Sequence, residues 1–250
     1  MRYFVRLSYK GTKYRGWQTQ AKVKTIQETF ENTLAKMTGT QRHIHGCGRT
    51  DAEVHASNYI AHFDYPKAFD YDPVFRLNKM LPPDIRIHEI FPVDGKWDAQ
   101  LSALSRTYQY HIYGFENPFL YETSWYYPKL STLKIESMQN ALDFLLEHKE
   151  YYSLCRRPSI YPHTRCNVSH VSLKTDKDLQ SATVEIKANR FLKSMIRILV
   201  NRLVEVGSGQ LSVDEFKNKL IHKKAFSPLT LAPPQGLHLV EVEYPSDLGL

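Results

Sequence analysis

A carboxylate and a guanidinium lie two residues apart in a glycine-containing stretch of the sequence, Gly48-Arg49-Thr50-Asp51-Ala52. Glycine permits tight turns and a close approach of the backbone to a ligand. Arg49 can hold the Asp51 carboxylate ionised and oriented while one of its oxygens stays available for reaction. The pattern therefore predicts a nucleophile or a general base at Asp51. By itself, an arginine and an aspartate in a loop more commonly form an ordinary turn, in which the aspartate hydrogen-bonds its own backbone.

Alternating and amphipathic segments predict the elements that position Asp51. Alternation of apolar and polar residues indicates a strand directly after the aspartate, and a capping pattern from Thr25 to Glu28 begins an amphipathic helix. The expected elements of this first half are strands at residues 3–9, 54–63 and 85–91 and helices from residue 25 and near residues 73–80. Strands and helices in this order are typical of an α+β fold.

A similar pattern begins again after residue 104. The expected elements of this second half are strands at residues 107–113, 168–173, 183–188 and 236–244, and helices at residues 135–146, from about 190 to 206, and from the capping pattern at Ser212. The repetition predicts two related α+β halves, residues 1–104 with Asp51 and residues 105–250.

Composition narrows the class of protein. The 250 residues contain no run of about 18 apolar residues, so no membrane span is expected, and the start lacks the pattern of a signal peptide, which favours the cytoplasm. The three cysteines, Cys47, Cys155 and Cys166, are expected to be thiols. A net charge of +7 together with 16 Tyr and 12 Phe fits a nucleic-acid partner.

Four spaced segments together resemble one family. They are residues 9–18 (Tyr-Lys-Gly-Thr-Lys-Tyr-Arg-Gly-Trp-Gln), residues 48–52, residues 105–110 (Ser-Arg-Thr-Tyr-Gln-Tyr) and residues 188–197 (Ala-Asn-Arg-Phe-Leu-Lys-Ser-Met-Ile-Arg). Shorter matches lie at residues 25–27, 77–78, 164–165 and 234–237, so that the resemblance covers nearly the whole chain in order. The sequence is similar to the TruA family of tRNA pseudouridine synthases.

This resemblance implies a fold and a reaction. In the fold, the antiparallel sheets of two similar halves join into one continuous sheet flanked by helices, with the active site in a central cleft. In the reaction, a uridine is flipped into a pocket, its glycosidic bond is broken, and C5 of the rotated base is joined to C1′. The resemblance implies no cofactor and no metal, a tRNA substrate modified at positions 38 to 40 of the anticodon stem-loop, and a homodimer.

The resemblance also assigns roles to residues. Asp51 is implied to be the essential carboxylate, acting as nucleophile or as the base that removes a ribose proton, with Arg197 as its partner. Tyr108 is implied to stack on the flipped base, Arg49 to steady the flipped nucleotide, and Leu237 to form an apolar pocket wall. Tyr110, on the same strand as Tyr108, is expected to be a core residue. Further substrate contacts are expected at Lys10, Tyr14, Arg15, Trp17, Gln18, Asn78, Arg106, Arg165 and Asn189, with Lys193 and the pair Arg156 and Arg157 as additional cations.

Two departures from the family pattern leave an alternative open. Glu53 stands where a glycine is usual, and Asp98-Ala99-Gln100 replaces the usual His-Ala-Arg. If the backbone at residue 53 needs a positive φ, glutamate there is strained, and its side chain could obstruct the uridine. The alternative is a catalytically weak or silent tRNA-binding relative. A metal site at Cys155, His163, Cys166 and His170 is a third reading, although their spacing matches none of the common zinc patterns.

Overall fold

The computed structural model of the protein describes residues 1–248, which form nine strands and five α-helices. The strands are β1 (Arg2–Tyr9), β2 (His45–Gly46), β3 (His55–Asp64), β4 (Ile85–Val93), β5 (Ser105–Tyr113), β6 (Trp125–Tyr126), β7 (Val168–Thr175), β8 (Ser181–Ala188) and β9 (Leu237–Glu243). The helices are α1 (Ile26–Thr38), α2 (Pro73–Met80), α3 (Ile135–Glu147), α4 (Met195–Gly207) and α5 (Val213–Ile221). The predicted α+β class, with mostly antiparallel strands and flanking helices, is confirmed.

The chain divides into two compact units. The first contains Met1–Arg106 together with the segment from His238, and the second contains Thr107–Leu237. The sequence predicts a boundary after residue 104 and assigns all later residues to the second half. The structure instead groups the segment from His238 with the first unit, because β9 pairs in parallel with β3 at His55 and Ala56.

The first unit is built on four neighbouring strands in the order β4-β1-β3-β9. β1 is antiparallel to both of its neighbours, and Phe4, Val5 and Leu7 are completely buried. The short β2 pairs with β3 and leads directly into the segment that carries Asp51. This pairing gives the segment a fixed start in β2 and a fixed end in β3.

The helices of the first unit begin where their capping residues predict. The Thr25 hydroxyl accepts a hydrogen bond from the Glu28 amide, which caps α1 as expected. The carboxylate of Asp72 accepts from the Phe75 amide, and Pro73 follows as the first residue of α2. Both helices therefore begin at the predicted positions.

The second unit pairs β5, β8 and β7 in that order, with β6 beside β5. α3 packs on β7, and α4 packs against α3. One boundary differs from the prediction, since α4 begins at Met195 rather than near residue 190. Ser194 has a left-handed backbone (φ 59°), which is incompatible with a helix continuing through it. The family-like segment at residues 189–194 is therefore a connection, and the helix begins only after it.

A buried histidine of β3 makes the stability of the first unit depend on pH. His62 is 2% exposed, and its Nδ1 accepts a hydrogen bond from the Ala99 amide at 3.0 Å. Burial lowers the pKa of His62 to about 4, although Asp98 lies nearby and opposes the shift. The unfolded chain binds a proton at this side chain below about pH 6.5, whereas the folded chain does so only near pH 4.

We therefore expect the contribution of neutral His62 to the free energy of unfolding to be complete above pH 6.5. Between pH 7 and pH 5 this contribution should decrease by about 2 kcal/mol. Urea unfolding at the two pH values measures this fall. Because burial also lowers the pKa values of His88 and His148, His62→Gln should reduce the difference between the two pH values by about 2 kcal/mol without abolishing it, whereas the exposed His222→Gln should leave it unchanged. An equal pH dependence in His62→Gln and the parent would contradict the assignment.

Candidate active site

Asp51 lies in a loop without regular structure, residues 47–54, which we call the Asp51 loop. The Asp51 side chain is half-buried, whereas Thr50 and Val54 on either side are buried. The Val54 amide donates to the Asp51 carbonyl oxygen at 3.3 Å, which closes a tight turn around the carboxylate. Arg49 is exposed.

The beginning of the Asp51 loop rests on an aromatic core. The Tyr59 hydroxyl donates to the carbonyl oxygen of Gly48, and the Trp17 ring stacks on the Tyr59 ring with centroids 4.1 Å apart. Burial raises the pKa of the Cys47 thiol to about 11, so this cysteine is a neutral packing residue at neutral pH.

Two aromatic residues that the sequence assigns to RNA contact are core residues instead. Tyr14 is 1% and Trp17 is 2% exposed. The Tyr14 hydroxyl donates to the Asp84 carboxylate at 2.6 Å, and the ammonium of Lys24 lies 4.7 Å from its ring centre. The prediction that these rings stack on RNA is therefore corrected: their faces are occupied by protein.

Arg106 and Asn78 likewise bind backbone atoms of the protein. The guanidinium of Arg106 donates to the carbonyl oxygens of Cys47 (2.8 Å) and Gln100 (2.7 Å). The side-chain amide of Asn78 exchanges two hydrogen bonds, at 2.8 and 2.9 Å, with the backbone of Ile87 and thereby ties α2 to β4. In this structure both side chains support the backbone, which for Arg106 includes the start of the Asp51 loop, and their role in substrate contact stays a prediction.

The remaining predicted contacts of the first unit lie nearer to solvent. Lys10 and Arg15 are exposed and Gln18 is half-buried. Glu53 has a left-handed backbone (φ 66°), the conformation that would favour the usual glycine. Its carboxylate forms an ion pair with the Arg15 guanidinium at 3.9 Å, and the two side chains are 40% and 66% exposed. A pair this long and this exposed contributes little to stability.

Glu53→Gly should stabilise the protein by about 0.5 kcal/mol. Relief of left-handed strain, about 1–2 kcal/mol, outweighs the greater entropy that glycine gives the unfolded chain. Urea unfolding measures the change. Glu53→Ala is the matched control, because it removes the same carboxylate but keeps a Cβ at the strained position. Equal stabilisation by both substitutions would attribute the effect to the charge rather than to the backbone.

In the second unit, Tyr108 on β5 contacts an aromatic residue in the connection between β8 and α4. The ring of Phe191 meets the ring of Tyr108 edge to face, with centroids 5.1 Å apart. This contact restricts the orientation of the half-buried Tyr108. Tyr110 is completely buried and donates from its hydroxyl to the Pro233 carbonyl oxygen at 2.7 Å, which confirms that it is a core residue.

Arg197, on the first turn of α4, holds the segment that leads into β9. Its Nε donates to the Ala232 carbonyl oxygen at 2.8 Å, and the Ala232 amide donates to the Arg197 carbonyl oxygen at 2.9 Å. The guanidinium is half-buried and therefore has a defined position. Leu237, the first residue of β9, is 8% exposed.

Comparison with known proteins identifies the family. A family profile described as tRNA pseudouridine synthase matches residues 146–245. A "tRNA pseudouridine synthase A" of Parabacteroides distasonis is 37% identical over 250 residues, covering 99% of this chain and 97% of the relative. Proteins of the same name from Bacteroides fragilis (36% identical, 99% of this chain and 98% of the relative) and Synechocystis (37%, 95% and 87%) are also similar.

The chain belongs to the tRNA pseudouridine synthase A family. The recognition made from the spaced sequence motifs is thereby confirmed, and with it the prediction that the chain is an enzyme of this isomerase family. The similarity extends over almost the whole chain and therefore includes both units.

For a tRNA pseudouridine synthase, the exposed cations of the second unit are relevant. Arg156, Arg157 and Arg165 are exposed. The Arg190 guanidinium lies 5.5 Å from the centre of the Tyr161 ring, and the Tyr161 hydroxyl accepts from the amide of Lys193 at 3.0 Å. Asn189 is exposed, and its side-chain oxygen accepts from the Asn167 amide at 2.7 Å, which is a support for the backbone.

Neither the candidate metal site nor a membrane-spanning helix is found among the described residues. Among residues 1–248, no group of three or more His, Cys, Asp or Glu side chains is placed to hold a metal ion, and this includes Cys155, His163, Cys166 and His170. Over the same residues, every helix is too short or too polar to cross a membrane.

Proposed function

We propose that this enzyme converts uridine to pseudouridine in the anticodon stem-loop of tRNA, at positions 38 to 40, with Asp51 as the essential carboxylate. The observation that carries this proposal is the similarity over almost the whole chain to proteins named tRNA pseudouridine synthase A. Asp51 supports it, since its carboxylate lies in a loop that backbone and aromatic contacts hold on several sides.

The chemistry requires one carboxylate in a defined orientation. Cleavage of the glycosidic bond develops positive charge at C1′ of the ribose, which a nearby carboxylate stabilises. Asp51 is suited either to attack as a nucleophile or to remove a ribose proton, because both routes begin from an ionised carboxylate. The leaving uracil can carry negative charge itself, so one carboxylate is sufficient.

The other catalytic roles follow the family resemblance. Arg197 is the basic partner of Asp51, Tyr108 stacks on the flipped base, and Arg49 steadies the flipped nucleotide. Leu237 forms an apolar wall of the uracil pocket. The rigid packing of Tyr108 on Phe191 and the hydrogen bond from Arg197 to Ala232 support these roles, because a catalytic side chain must be held in place before substrate arrives.

Contacts with the tRNA backbone are assigned to cations and polar groups that are exposed or half-buried. In the first unit these are Lys10, Arg15 and Gln18, and in the second they are Arg165 and Lys193 with the pair Arg156 and Arg157. Cations of this kind bind phosphates without reading sequence, and their contribution to affinity decreases as salt rises.

We also propose a homodimer that acts in the cytoplasm, where its tRNA substrate is made. The family resemblance supports the dimer. Light scattering at micromolar concentration distinguishes a dimer from a single chain of 29.2 kDa. A single-chain mass with full activity would overturn the dimer without affecting the proposed reaction.

Tritium release from tRNA labelled at C5 of uridine tests the proposed function, because joining C5 to C1′ displaces the hydrogen at C5. Two transcripts are compared, one with uridine at positions 38 to 40 and one with cytidine at all three positions. We expect release from the first transcript and none above background from the second. Nucleoside analysis of the product confirms pseudouridine.

Each other outcome has a distinct meaning. Equal release from both transcripts would place the modified uridine elsewhere in tRNA and overturn the anticodon stem-loop assignment alone. No release by the parent, with tRNA binding intact, would favour the catalytically silent relative. In that case activity gained by Glu53→Gly would identify Glu53 as the residue that disables the enzyme.

A further inference from the structure

On both sides of Asp51 the backbone is hydrogen-bonded to one other segment, residues 9–17, which we call the cradle segment. The Trp17 amide donates to the Thr50 carbonyl oxygen at 3.2 Å, immediately before Asp51. The Glu53 amide donates to the Tyr14 carbonyl oxygen at 3.2 Å, two residues after it. A loop that lacks the repeating hydrogen bonds of a helix or strand is thus fixed on either side of its carboxylate.

Two glycines of the cradle segment permit this close approach. Gly16 has φ +89°, and a Cβ there would lie 2.5 Å from the Thr50 oxygen and 3.1 Å from the carbonyl carbon of Asp51. A Cβ at Gly11 would lie 2.0 Å from the Val54 oxygen. Both neighbours are backbone atoms, which cannot turn aside as a flexible side chain can. Any larger residue at either position would therefore displace the Asp51 loop.

A buried pair of hydroxyls joins the two segments at the residue before the aspartate. The Tyr9 hydroxyl and the Thr50 Oγ1 lie 2.9 Å apart, and their residues are 4% and 9% exposed. At the far end of the loop, the Gly11 amide donates to Nδ1 of His55 at 3.0 Å. A hydrogen bond between buried hydroxyls is directional, and losing one partner leaves the other with a polar group out of water.

We propose that Gly16, Tyr9 and Thr50 are positioning residues, which fix the orientation of the Asp51 carboxylate before the uridine arrives. This inference rests on the proposed function, since it assigns these residues an effect on the rate of that reaction. They act through the backbone of the Asp51 loop and do not contact the substrate. A displacement of about 1 Å at a reacting group is enough to lower a rate about a hundredfold, so a small shift of this loop would be visible in kcat.

The test deletes the Tyr9 or the Thr50 hydroxyl and compares the effect on kcat with the effect on the tRNA Kd. Tyr9→Phe and Thr50→Val each delete one hydroxyl and keep the packing volume, whereas Thr50→Ser keeps the hydroxyl. We expect each deletion to lower kcat about tenfold and the melting temperature by a few degrees, with the tRNA Kd little changed, and Thr50→Ser to retain most of the parent kcat. The double variant should lose about tenfold rather than a hundredfold, because both deletions remove the same bond.

Gly16→Ala tests the backbone contact directly, and we expect it to lower kcat about a hundredfold. Its matched control is Gly95→Ala, where a Cβ would have nothing within 4 Å and where we expect no change. Hydrogen exchange of the amides at residues 51–54 provides a readout that does not depend on activity. It should become faster in Tyr9→Phe and Thr50→Val, but not in Thr50→Ser or Gly95→Ala.

Three results would overturn the inference. They are an unchanged kcat in Tyr9→Phe and Thr50→Val, a Thr50→Ser variant as slow as Thr50→Val, and a loss of kcat without faster amide exchange in the loop. A parent that binds tRNA but forms no pseudouridine would overturn the proposed function and the positioning role with it. An active parent whose variants stay equally active would overturn the positioning role alone.

Discussion

Asp51→Asn is expected to abolish pseudouridine formation, with kcat at least roughly 10⁴-fold below that of the parent. Asparagine has nearly the shape of aspartate, so the Asp51 loop keeps its packing and its bonds to the cradle segment. It lacks the negative charge that stabilises developing positive charge at C1′, and it can neither attack nor remove a proton. Because phosphate contacts dominate affinity for RNA, the tRNA Kd should stay within about threefold of the parent value.

Single-turnover tritium release and a filter-binding titration measure the two quantities for Asp51. The control is Asp70→Asn, which makes the same chemical change at an exposed aspartate of the first unit and should leave both quantities unchanged. Activity of Asp51→Asn within tenfold of the parent would exclude Asp51 as the essential carboxylate. A large loss of tRNA binding would instead give the residue a role in recognition.

The second large expected effect is a loss of stability when Arg202 of α4 is replaced. This residue is 4% exposed, and its guanidinium donates to both carboxylate oxygens of Glu205 at 2.7 and 2.6 Å. It also donates to the Pro228 carbonyl oxygen at 2.6 Å, and its central carbon lies 4.9 Å from the centre of the Phe226 ring. Arg202 therefore connects α4 to the loop that follows α5.

Arg202→Met should lower the free energy of unfolding by about 3 kcal/mol, as measured by urea denaturation. Methionine fills much of the same volume but removes the donor to the Pro228 carbonyl oxygen and both hydrogen bonds from Arg202 to Glu205, whose carboxylate then keeps the hydrogen bond from the Asn201 amide at 2.8 Å. Addition of Glu205→Leu should recover part of the loss, because the pair is then replaced by apolar groups together rather than broken.

The matched control for Arg202 is Arg6→Met. Arg6 pairs with Glu89 at 2.8 Å, but the two side chains are 39% and 49% exposed, so the expected loss is below about 1 kcal/mol. If Arg202→Met and Arg6→Met destabilise the protein equally, then burial does not strengthen the Arg202 pair.

Most secondary structure of this protein was predictable from short stretches of sequence. The caps at Thr25 and Ser212, the proline at the start of α2 and the alternation in β1 and β3 act over a few residues, and the structure has these elements where expected. The start of α4 was not predictable, since the apolar spacing continues back through the left-handed Ser194. The strands β2 and β6 have two residues each, too few to show alternation.

The sequence by itself determined the α+β class, the family and the candidate aspartate, because spaced motifs are visible without knowing which residues touch. Only the tertiary structure decided the surroundings of each motif residue. Tyr14 and Trp17 have the composition of an RNA-stacking loop, but they are buried against residues distant in the chain. Arg106 has the charge of a phosphate ligand, but in the structure its guanidinium donates a hydrogen bond to the carbonyl oxygen of Cys47, 59 residues away in the chain. The partners of a side chain depend on how distant segments pack, and the local periodicity of the sequence does not reveal that packing.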